Sequence, residues 1–329
     1  MFRAALRDLQ WRRKRFVIAM AGVGLVFAMG LVMTGLAESF SREVDRTLAA
    51  VGGETWAVSA QASGPFTSFN PVSVDAGGDD AEPMMVLRQT VRVDDEVIDV
   101  VVLGFSSAAP ETGQAIVDEA LVGIDVGSSL PLGGLTFDVV DTVSGQRLFA
   151  GLPIVYITLA DAQLIGVQGQ PYATAFLYSD VPTEVPDGLR LMTRTEVRND
   201  VLRPLDNALA SIRLMKILLW IVAATIIGSV LYLQAMERTR DFAVFKATGT
   251  STAAIGAGLA IQAIVLSLAA AALAAVLAVV LAPIFPMNIE IPSSGFLLLP
   301  VVTVVVGLLA SLIALRKTAT VEPALAFGG

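Results

Sequence analysis

Four long apolar runs divide the chain. They lie at residues 16–37, 217–235, 252–282 and 296–315, and none of them contains Asp, Glu, Lys or Arg. A helix rises about 1.5 Å per residue, so roughly 20 apolar residues cross the roughly 30 Å hydrocarbon core of a bilayer. The pattern therefore predicts four transmembrane helices. Because the runs hold no charged residue, a proton relay or an ion path inside the bilayer is not expected.

The first run has an alternative interpretation as the core of a secretory signal peptide. The basic residues before it and the small residues near Leu36 and Ala37 favour such a signal. A signal core, however, has only about 7 to 15 apolar residues, and the run at residues 16–37 is longer. Its length favours a membrane helix.

The region between the first two runs, residues 38–216, has a different pattern. Short segments rich in β-branched and aromatic residues alternate with clusters of Gly, Pro and Asp, which is typical of strands and turns. The expected strands are residues 55–60, 84–93, 97–104, 135–143, 154–158 and 173–178. Thr158 with Asp161 and Thr193 with Glu196 are typical helix starts. The sequence therefore predicts a mixed α/β domain inserted between the first and second membrane helices.

Helices are also expected to connect this domain to the membrane. The apolar spacing of residues 39–51 predicts that the first membrane helix continues outward as a stalk. The helix that begins at Thr193 is expected to run to the second span, with a kink rather than an end at Pro204. A loop at residues 64–82 is rich in Gly, Ser, Pro and Asp, and it is predicted to be mobile.

The distribution of Lys and Arg predicts the orientation. Residues 1–15 form a basic amphipathic segment, and residues 236–251 and the tail at residues 316–329 are also locally basic. The turn at residues 283–295 contains Glu290 and no Lys or Arg. Because basic loops tend to stay in the cytoplasm, both termini and residues 236–251 are expected to be cytoplasmic and the α/β domain external. The expected location is the bacterial cytoplasmic (inner) membrane.

Composition narrows the functional classes. The chain has 55% hydrophobic residues, a mean hydropathy of +0.72, a net charge of −8 and neither Cys nor His. These absences exclude disulfides, thiolate metal sites and Ser–His or Cys–His catalysis. No Gly-x-x-x-x-Gly-Lys-Ser/Thr segment for binding nucleotide phosphates is present. The acidic clusters at residues 79–80 and 94–96 lack the spacing of a calcium loop, so no metal site is expected, and no nucleic-acid partner is expected either.

The short charged segment at residues 236–251 is the strongest candidate for function. Phe242 and Phe245 lie three residues apart and are predicted to form an aromatic ridge on a short amphipathic helix. Gly249 is placed where a left-handed residue would end that helix. The charged residues nearby are Glu237, Arg238, Asp241 and Lys246. A purely topogenic loop is the alternative, but it needs only basic residues, whereas paired Phe residues suit docking into a partner's groove.

This segment resembles a known family. FtsX-like and MacB-like ABC transporter permeases typically carry the pattern ER-x-x-EIG-x-x-(K/R)A-x-G after their second membrane helix. The corresponding residues here are Glu237-Arg238-x-x-Asp241-Phe242-Ala243-Val244-Phe245-Lys246-Ala247-x-Gly249. Asp241 replaces the usual Glu, and Phe242-Ala243 replaces Ile-Gly. The tail resembles the family's basic end and D/E-P-x-x-A element through Arg316-Lys317 and Glu322-Pro323-Ala324-x-Ala326.

The resemblance implies a membrane α-helical fold with four transmembrane helices and an extracytoplasmic mixed α/β domain between helices 1 and 2. It implies a DevC-type permease subunit that lacks its own ATPase domain. Such a chain is not catalytic and holds no cofactor, because ATP is bound by a separate ABC ATPase subunit. A homodimer in the lipid bilayer is also implied. The expected ATPase-coupling residues are Glu237, Arg238, Asp241, Phe242, Phe245, Lys246 and Gly249.

The expected function is to couple ATP hydrolysis by the partner to motion of the external domain, for export or extraction of a lipophilic or peptide cargo. An FtsX-like signalling subunit that activates an external cell-wall hydrolase is the first alternative. An ATPase-independent membrane-anchored sensor is the second. A hydrolase, a lipoprotein or another periplasmic protein is an additional candidate partner.

Overall fold

The structure, a computed structural model, describes residues 13–93, 96–106, 110–237, 241, 243–244, 247–284 and 289–319. Its internal contacts separate two units. Unit 1 comprises Met1–Ser39 and Ala208–Gly329, and unit 2 comprises Phe40–Asn207.

Long helices form most of unit 1. The α-helices with defined bounds are α1 (Arg13–Val51), α2 (Leu159–Val167), α3 (Arg194–Leu202), α4 (Asp206–Glu237), α5 (Thr252–Leu281) and α6 (Ser293–Ala319), and the described residues 241, 243–244 and 247 are also α-helical. A search of all the described residues finds four helical stretches long and apolar enough to cross a membrane, namely Phe16–Val51, Arg194–Glu237, Thr252–Ile284 and Ser293–Leu312. The four apolar runs of the sequence fall on α1, α4, α5 and α6.

Two expectations concern the helix ends. α1 passes residue 37 without a break and continues to Val51, as the sequence predicts. Pro204, however, lies in a short 3-10 helix, Arg203–Leu205, between α3 and α4. The chain is helical on both sides of this turn, so the prediction that Pro204 does not end the helical run is confirmed, although the α-helix itself is divided into α3 and α4. Proline has no N–H and clashes with the preceding turn, so the α-helical hydrogen bonds are interrupted for one turn.

The core of unit 1 contains many small side chains. Phe27 of α1 and Ile227 of α4 are almost completely buried there. α5 contributes a series of buried alanines, which are Ala263, Ala270, Ala271, Ala274 and Ala278. Alanine lets helix backbones approach closely, and such packing is the main source of helix association in a bilayer.

A mixed β-sheet forms the centre of unit 2. The strands are β1 (Thr55–Ser59), β2 (Val72–Ser73), β3 (Glu82–Val93), β4 (Glu96–Phe105), β5 (Gln114–Asp118), β6 (Ser129–Leu132), β7 (Leu135–Val143), β8 (Arg147–Leu148), β9 (Leu152–Thr158), β10 (Tyr172–Ala173), β11 (Ala175–Tyr178) and β12 (Leu189–Thr193). The order in the main sheet is β12-β1-β11-β3-β4-β9-β5-β7-β6, with β8 on β9, while β2 and β10 pair separately. The pairs β4–β9 and β5–β7 are parallel.

Each face of the sheet has its own core. On one face Trp56 and Met192 pack with Val44 of α1 and Val197 of α3. The other face carries Met85, Val102, Phe137 and Val155, together with Ala162 of α2. Both faces are therefore covered, which explains why β3 and β4 combine continuous apolar stretches with alternating ones.

The strand predictions are largely confirmed. β7 has the predicted bounds, and β1, β3, β4 and β9 agree to within two residues at each end. The predicted strand at residues 173–178 is divided into β10 and β11. The sequence analysis missed β2, β5, β6, β8 and β12. β6 shows why, because only Leu130 and Leu132 point inward from it, which is too short an alternation to recognise.

Candidate functional site

The predicted coupling segment, residues 236–251, follows α4 and precedes α5. Glu237 is the last residue of α4 and is exposed, and Asp241 is an exposed helical residue. Arg238, Phe242, Phe245 and Lys246 lie outside the described residues. The aromatic ridge therefore stays a prediction.

The end of this segment has the expected geometry. The backbone N–H and the hydroxyl of Thr248 both donate to the Val244 carbonyl, at 2.9 and 3.1 Å. Gly249 follows with φ +91°, in the left-handed region that glycine adopts without strain. The Ser251 hydroxyl then accepts the Ala254 N–H at 3.2 Å and caps α5. These contacts confirm the predicted helix end at Gly249 and show that α5 starts after Ser251.

Ala243 is the buried residue of this segment. It is completely buried, whereas its neighbour Val244 is 45% exposed and Ala247 is also exposed. Sequence analysis did not single out Ala243, because an alanine between two phenylalanines has no distinctive hydrophobic signal. Among the described helical residues of the segment, Ala243 is thus buried while Asp241, Val244 and Ala247 are exposed.

α5 continues directly from this segment and packs closely on α6. A side chain at Gly307 would collide with the Ser267 hydroxyl, and its Cβ would lie 3.3 Å from the Ala263 carbonyl oxygen. Small or short buried residues recur at four-residue intervals on both helices. They are Ala263, Ser267 and Ala271 on α5, and Thr303, Gly307 and Ser311 on α6. Such spacing is the signal that could have predicted this helix pair.

The segment before α6 packs on α1. The Glu290 N–H donates to the Ser39 hydroxyl at 3.1 Å, and that hydroxyl donates to the Gly35 carbonyl at 2.9 Å. A Cβ at Gly35 would lie 2.7 Å from the Ile289 side chain. Glycine at position 35 therefore permits the close approach of this segment to α1.

Three buried aspartates organise the loops of unit 2. Asp118 accepts the N–H groups of Ala120 and Gln146 and pairs with the Arg147 guanidinium at 3.0 Å. Asp161 accepts the Gly113 N–H at 3.0 Å and the Thr158 hydroxyl at 2.7 Å. Burial, and secondarily the charge of Asp118, raises the pKa of the Tyr156 phenol above its ordinary value. These groups fasten loops, and they do not resemble a catalytic constellation.

The third buried aspartate, Asp200 of α3, holds the loop that was predicted to be mobile. Its carboxylate accepts the N–H groups of Phe66 at 3.0 Å and Thr67 at 3.2 Å, and also the Thr67 hydroxyl. Arg190 donates to the Ala62 and Ser63 carbonyls. The first part of the loop is thus fastened to the core. The Gly and Ser content of the loop concealed a buried acceptor on a distant helix for this first part, and mobility of the rest of the loop stays a prediction.

No group of three or more His, Cys, Asp or Glu residues that could hold a metal ion occurs in the part of the chain that the structure describes. The acidic pair Asp79 and Asp80 lies within that part, whereas Asp94 and Asp95 do not.

Known ABC transporter permeases are similar to this chain in sequence. Residues 213–323 match the family described as FtsX-like permease C-terminal. Two uncharacterized ABC transporter permeases of Mycobacterium tuberculosis (strain ATCC 25618 / H37Rv) are 39% and 38% identical over 348 residues, with 100% of this chain and 100% of each relative covered. An uncharacterized ABC transporter permease of Mycobacterium bovis (strain ATCC BAA-935 / AF2122/97) is 39% identical over the same length and coverage.

A solved structure also aligns with part of the chain. It is the extracellular domain of the noncanonic ABC-type transporter YknZ from Gram-positive bacteria, with 11% identity and a TM-score of 0.30. The alignment covers 43% of this chain and 100% of that chain. The full-length relatives and the matched permease region are sufficient, and the chain belongs to the FtsX-like ABC transporter permeases.

Proposed function

We propose that this chain is the non-catalytic membrane subunit of an ABC transporter and that a separate ATPase docks on residues 236–251. The proposal rests on two features of this segment, namely its pattern of buried and exposed residues and its defined connection to α5. Ala243 is buried while Asp241 and Val244 remain exposed. Gly249 and Ser251 connect the segment to α5 through a defined turn. A force applied to the exposed side would therefore move α5 with it.

Continuous helices support transmission of that motion. α1 has no break between Arg13 and Val51, and α3 and α4 are separated by a single 3-10 turn at Arg203–Leu205. Packed helices behave as stiff elements in hinge and shear motions. ATP hydrolysis in the partner would then change the position of the α/β domain, while this chain binds no cofactor.

The proposed orientation follows the positive-inside tendency, with both termini and residues 236–251 in the cytoplasm and unit 2 outside the cytoplasmic membrane. A homodimer is proposed as well, because four helices are too few to enclose a path between two ATPases. Exposed apolar side chains on α4, such as Leu218 and Ile221, are available for lipid or for a second copy.

The cargo is proposed to be lipophilic or peptidic, and it would be exported or extracted. The absence of charged residues from the four apolar runs supports this choice, because an ion or polar solute needs polar groups along its path. The same observation favours a second candidate, a signalling subunit that activates an external cell-wall hydrolase without transport. A hydrolase or lipoprotein partner would then bind unit 2.

The test of the ATPase site is a double substitution, Phe242→Ala with Phe245→Ala. If both side chains are interface anchors, each loss should cost about 2 kcal/mol or more of ATPase binding. Substitution of the exposed Asp241 should cost about 1 kcal/mol or less. The measurement is binding of a candidate ABC ATPase subunit to the full chain in nanodiscs, with ATP turnover followed in parallel.

A matched pair of substitutions separates docking from packing. Ala243→Leu should displace the segment, because Ala243 is completely buried, whereas Ala247→Leu adds the same side chain at an exposed position. Val279→Ala with Val280→Ala truncates two exposed residues of α5 and serves as a control for the Phe pair. Full ATPase recruitment and full function by the Phe double mutant would reduce residues 236–251 to a topogenic loop.

A further inference from the structure

One edge of β3 is left largely without a hydrogen-bonded strand within the described residues. β3 pairs with β4 along its length, from Met84 opposite Phe105 to Val93 opposite Glu96. On the other edge β11 covers only Glu82–Met84. The next contacts on that edge are the Thr174 N–H to the Met84 carbonyl at 2.9 Å and the Val86 N–H to the Thr174 hydroxyl at 2.8 Å.

The main-chain groups beyond this point have no ladder partner, and toward Thr90 and Arg92 the nearby element is β6, whose Pro131 and Leu132 line a cavity with them. Alternate residues of a strand direct their N–H and C=O groups to the same edge, so Arg88, Thr90 and Arg92 follow Met84 and Val86. Within the described residues no strand pairs with them on this side. The outer strand β6, in contrast, carries Pro131, which removes an N–H donor and protects an edge.

A groove follows this open edge. A cavity of about 460 Å³ is lined by Val86–Gln89 of β3, with Pro65–Phe69 on one wall and Ile165 and Gly166 on the other. Phe69 is 51% exposed at its rim. A Cβ at Gly166 would lie 2.7 Å from the Leu87 side chain, so α2 is packed directly against the strand.

The walls of the groove are fixed before any ligand arrives. The loop that carries Phe69 is held by the hydrogen bonds from Phe66 and Thr67 to the Asp200 carboxylate. α2 is held by its Thr158 cap and by Asp161. A preformed groove avoids much of the entropic cost of ordering a binding site.

Charge distinguishes the floor of this groove from the rest of unit 2. Acidic residues outnumber basic ones between residues 40 and 207. Arg88 is nevertheless exposed on the floor, with its guanidinium 3.9 Å from the centroid of the Phe149 ring. Arg92 lies two strand positions beyond Thr90 on the same face. An acidic side chain would be attracted here and repelled over most of the domain.

We propose that the open edge of β3 at Val86–Thr90 accepts an extended peptide segment of a partner protein as an added strand. Main-chain hydrogen bonds to Arg88 and Thr90 supply the affinity, and the groove supplies the specificity. The segment carries an apolar side chain that packs between Phe69 and Ile165, and an acidic side chain that faces Arg88. This site is independent of an ATPase at residues 236–251.

The probe is a fluorescein-labelled heptapeptide of alternating Thr and Val with one central Glu, added to the full chain in nanodiscs. We expect saturable binding and slower amide hydrogen exchange at Arg88 and Thr90. N-methylation of the peptide amides that face β3 should abolish binding, while N-methylation of the alternate amides should leave it within about twofold, because only the first set donates to the strand. Equal effects of the two methylation patterns would exclude strand addition.

Variants of the protein locate the site. Thr90→Pro removes one edge donor and should weaken binding about tenfold, the equivalent of roughly one hydrogen bond. Phe69→Ala should weaken it by a similar factor, whereas Val122→Ala, another exposed apolar truncation outside the groove, should not. Arg88→Glu should weaken the Glu peptide and favour the same peptide with Lys at its centre.

Three results would overturn the proposal. The first is unchanged exchange at Arg88 and Thr90 with the heptapeptide at millimolar concentration. The second is protection of the β6 amides instead. The third is protection of Arg88 and Thr90 that rises with protein concentration in the absence of peptide, which would identify a second copy of the chain as the occupant.

Discussion

The two units fix their tertiary contacts by opposite means. In unit 1, α5 and α6 pack closely because Gly307 has no side chain and Ser267 lies directly against it. In unit 2, loops are held by buried carboxylates, of which Asp200 is one. The difference reflects the surroundings. In lipid there is no hydrophobic force between helices, so close van der Waals packing of their surfaces determines which helices associate. A loop that covers an α/β core instead needs hydrogen-bond acceptors for its buried N–H groups.

Removing the Asp200 carboxylate should cause the largest loss of stability among the substitutions considered. Asp200→Ala leaves the N–H groups of Phe66 and Thr67 and the Thr67 hydroxyl without their acceptor. Each buried unsatisfied group costs about 1 to 3 kcal/mol, so we expect unit 2 to lose about 3 to 5 kcal/mol of stability.

Trp56 provides the measurement for Asp200→Ala. It is completely buried, and its ring centroid lies 5.8 Å from that of Phe66. With the other two tryptophans replaced by Phe, its fluorescence during urea unfolding reports on this region of the full chain. Asp187→Ala, which removes an exposed carboxylate, is the control. Equal unfolding midpoints for the two variants would contradict the role assigned to Asp200.

Adding one methyl group between α5 and α6, at Gly307, should cause the next largest loss of stability. Gly307→Ala places Cβ against the Ser267 hydroxyl and should cost about 1 to 3 kcal/mol. Gly258→Ala in α5 meets no atom within 4 Å and should be neutral or stabilising, because alanine favours helices. Thermal unfolding of both variants in the same detergent tests this contrast.

Ser267→Ala, combined with Gly307→Ala, tests directly whether these two residues are in contact. The Ser267 hydroxyl is buried and has no hydrogen-bond partner within the described residues. Ser267→Ala should therefore cost little alone and should restore much of the stability lost in Gly307→Ala. Strictly additive effects in this double-mutant cycle would show that the two residues do not meet.

The sequence predicts the elements better than it predicts these contacts. β7 and the helix caps at Thr158 and Thr193 were recognised because alternation and capping are local patterns. At the candidate site, Gly249 was recognised for the same reason. Ala243, Ser267 and Asp200 were not, since each acts on a partner distant in sequence. Small residues and single aspartates carry little local signal about such partners.

Loss of a local cap should have a smaller effect than either long-range change. Thr193 caps α3 through its hydroxyl, which accepts the Glu196 N–H at 3.3 Å. Thr193→Ala should cost about 1 kcal/mol, the usual value of a helix cap. Thr195→Ala removes an exposed hydroxyl two residues later and is the matched control. Urea unfolding followed by Trp56 fluorescence compares the two variants. Equal losses of stability would show that the helix cap is not responsible for the effect of Thr193→Ala.

The smallest effect expected is a pH dependence at the same capping box. The Glu196 carboxylate accepts the Thr193 N–H at 2.7 Å and the Thr193 hydroxyl at 2.9 Å, and these bonds hold its pKa below the ordinary value. Since the folded pKa is depressed, the contribution of Glu196 to stability is present above the unfolded pKa and is lost as pH falls through the folded pKa. Unfolding of the full chain between about pH 6 and about pH 3 should therefore depend less on pH in Glu196→Gln than in the natural protein. Thr193→Ala should reduce the same dependence, because it removes the donor hydroxyl. An unchanged dependence in Glu196→Gln would mean that the cap bonds do not favour the ionised carboxylate.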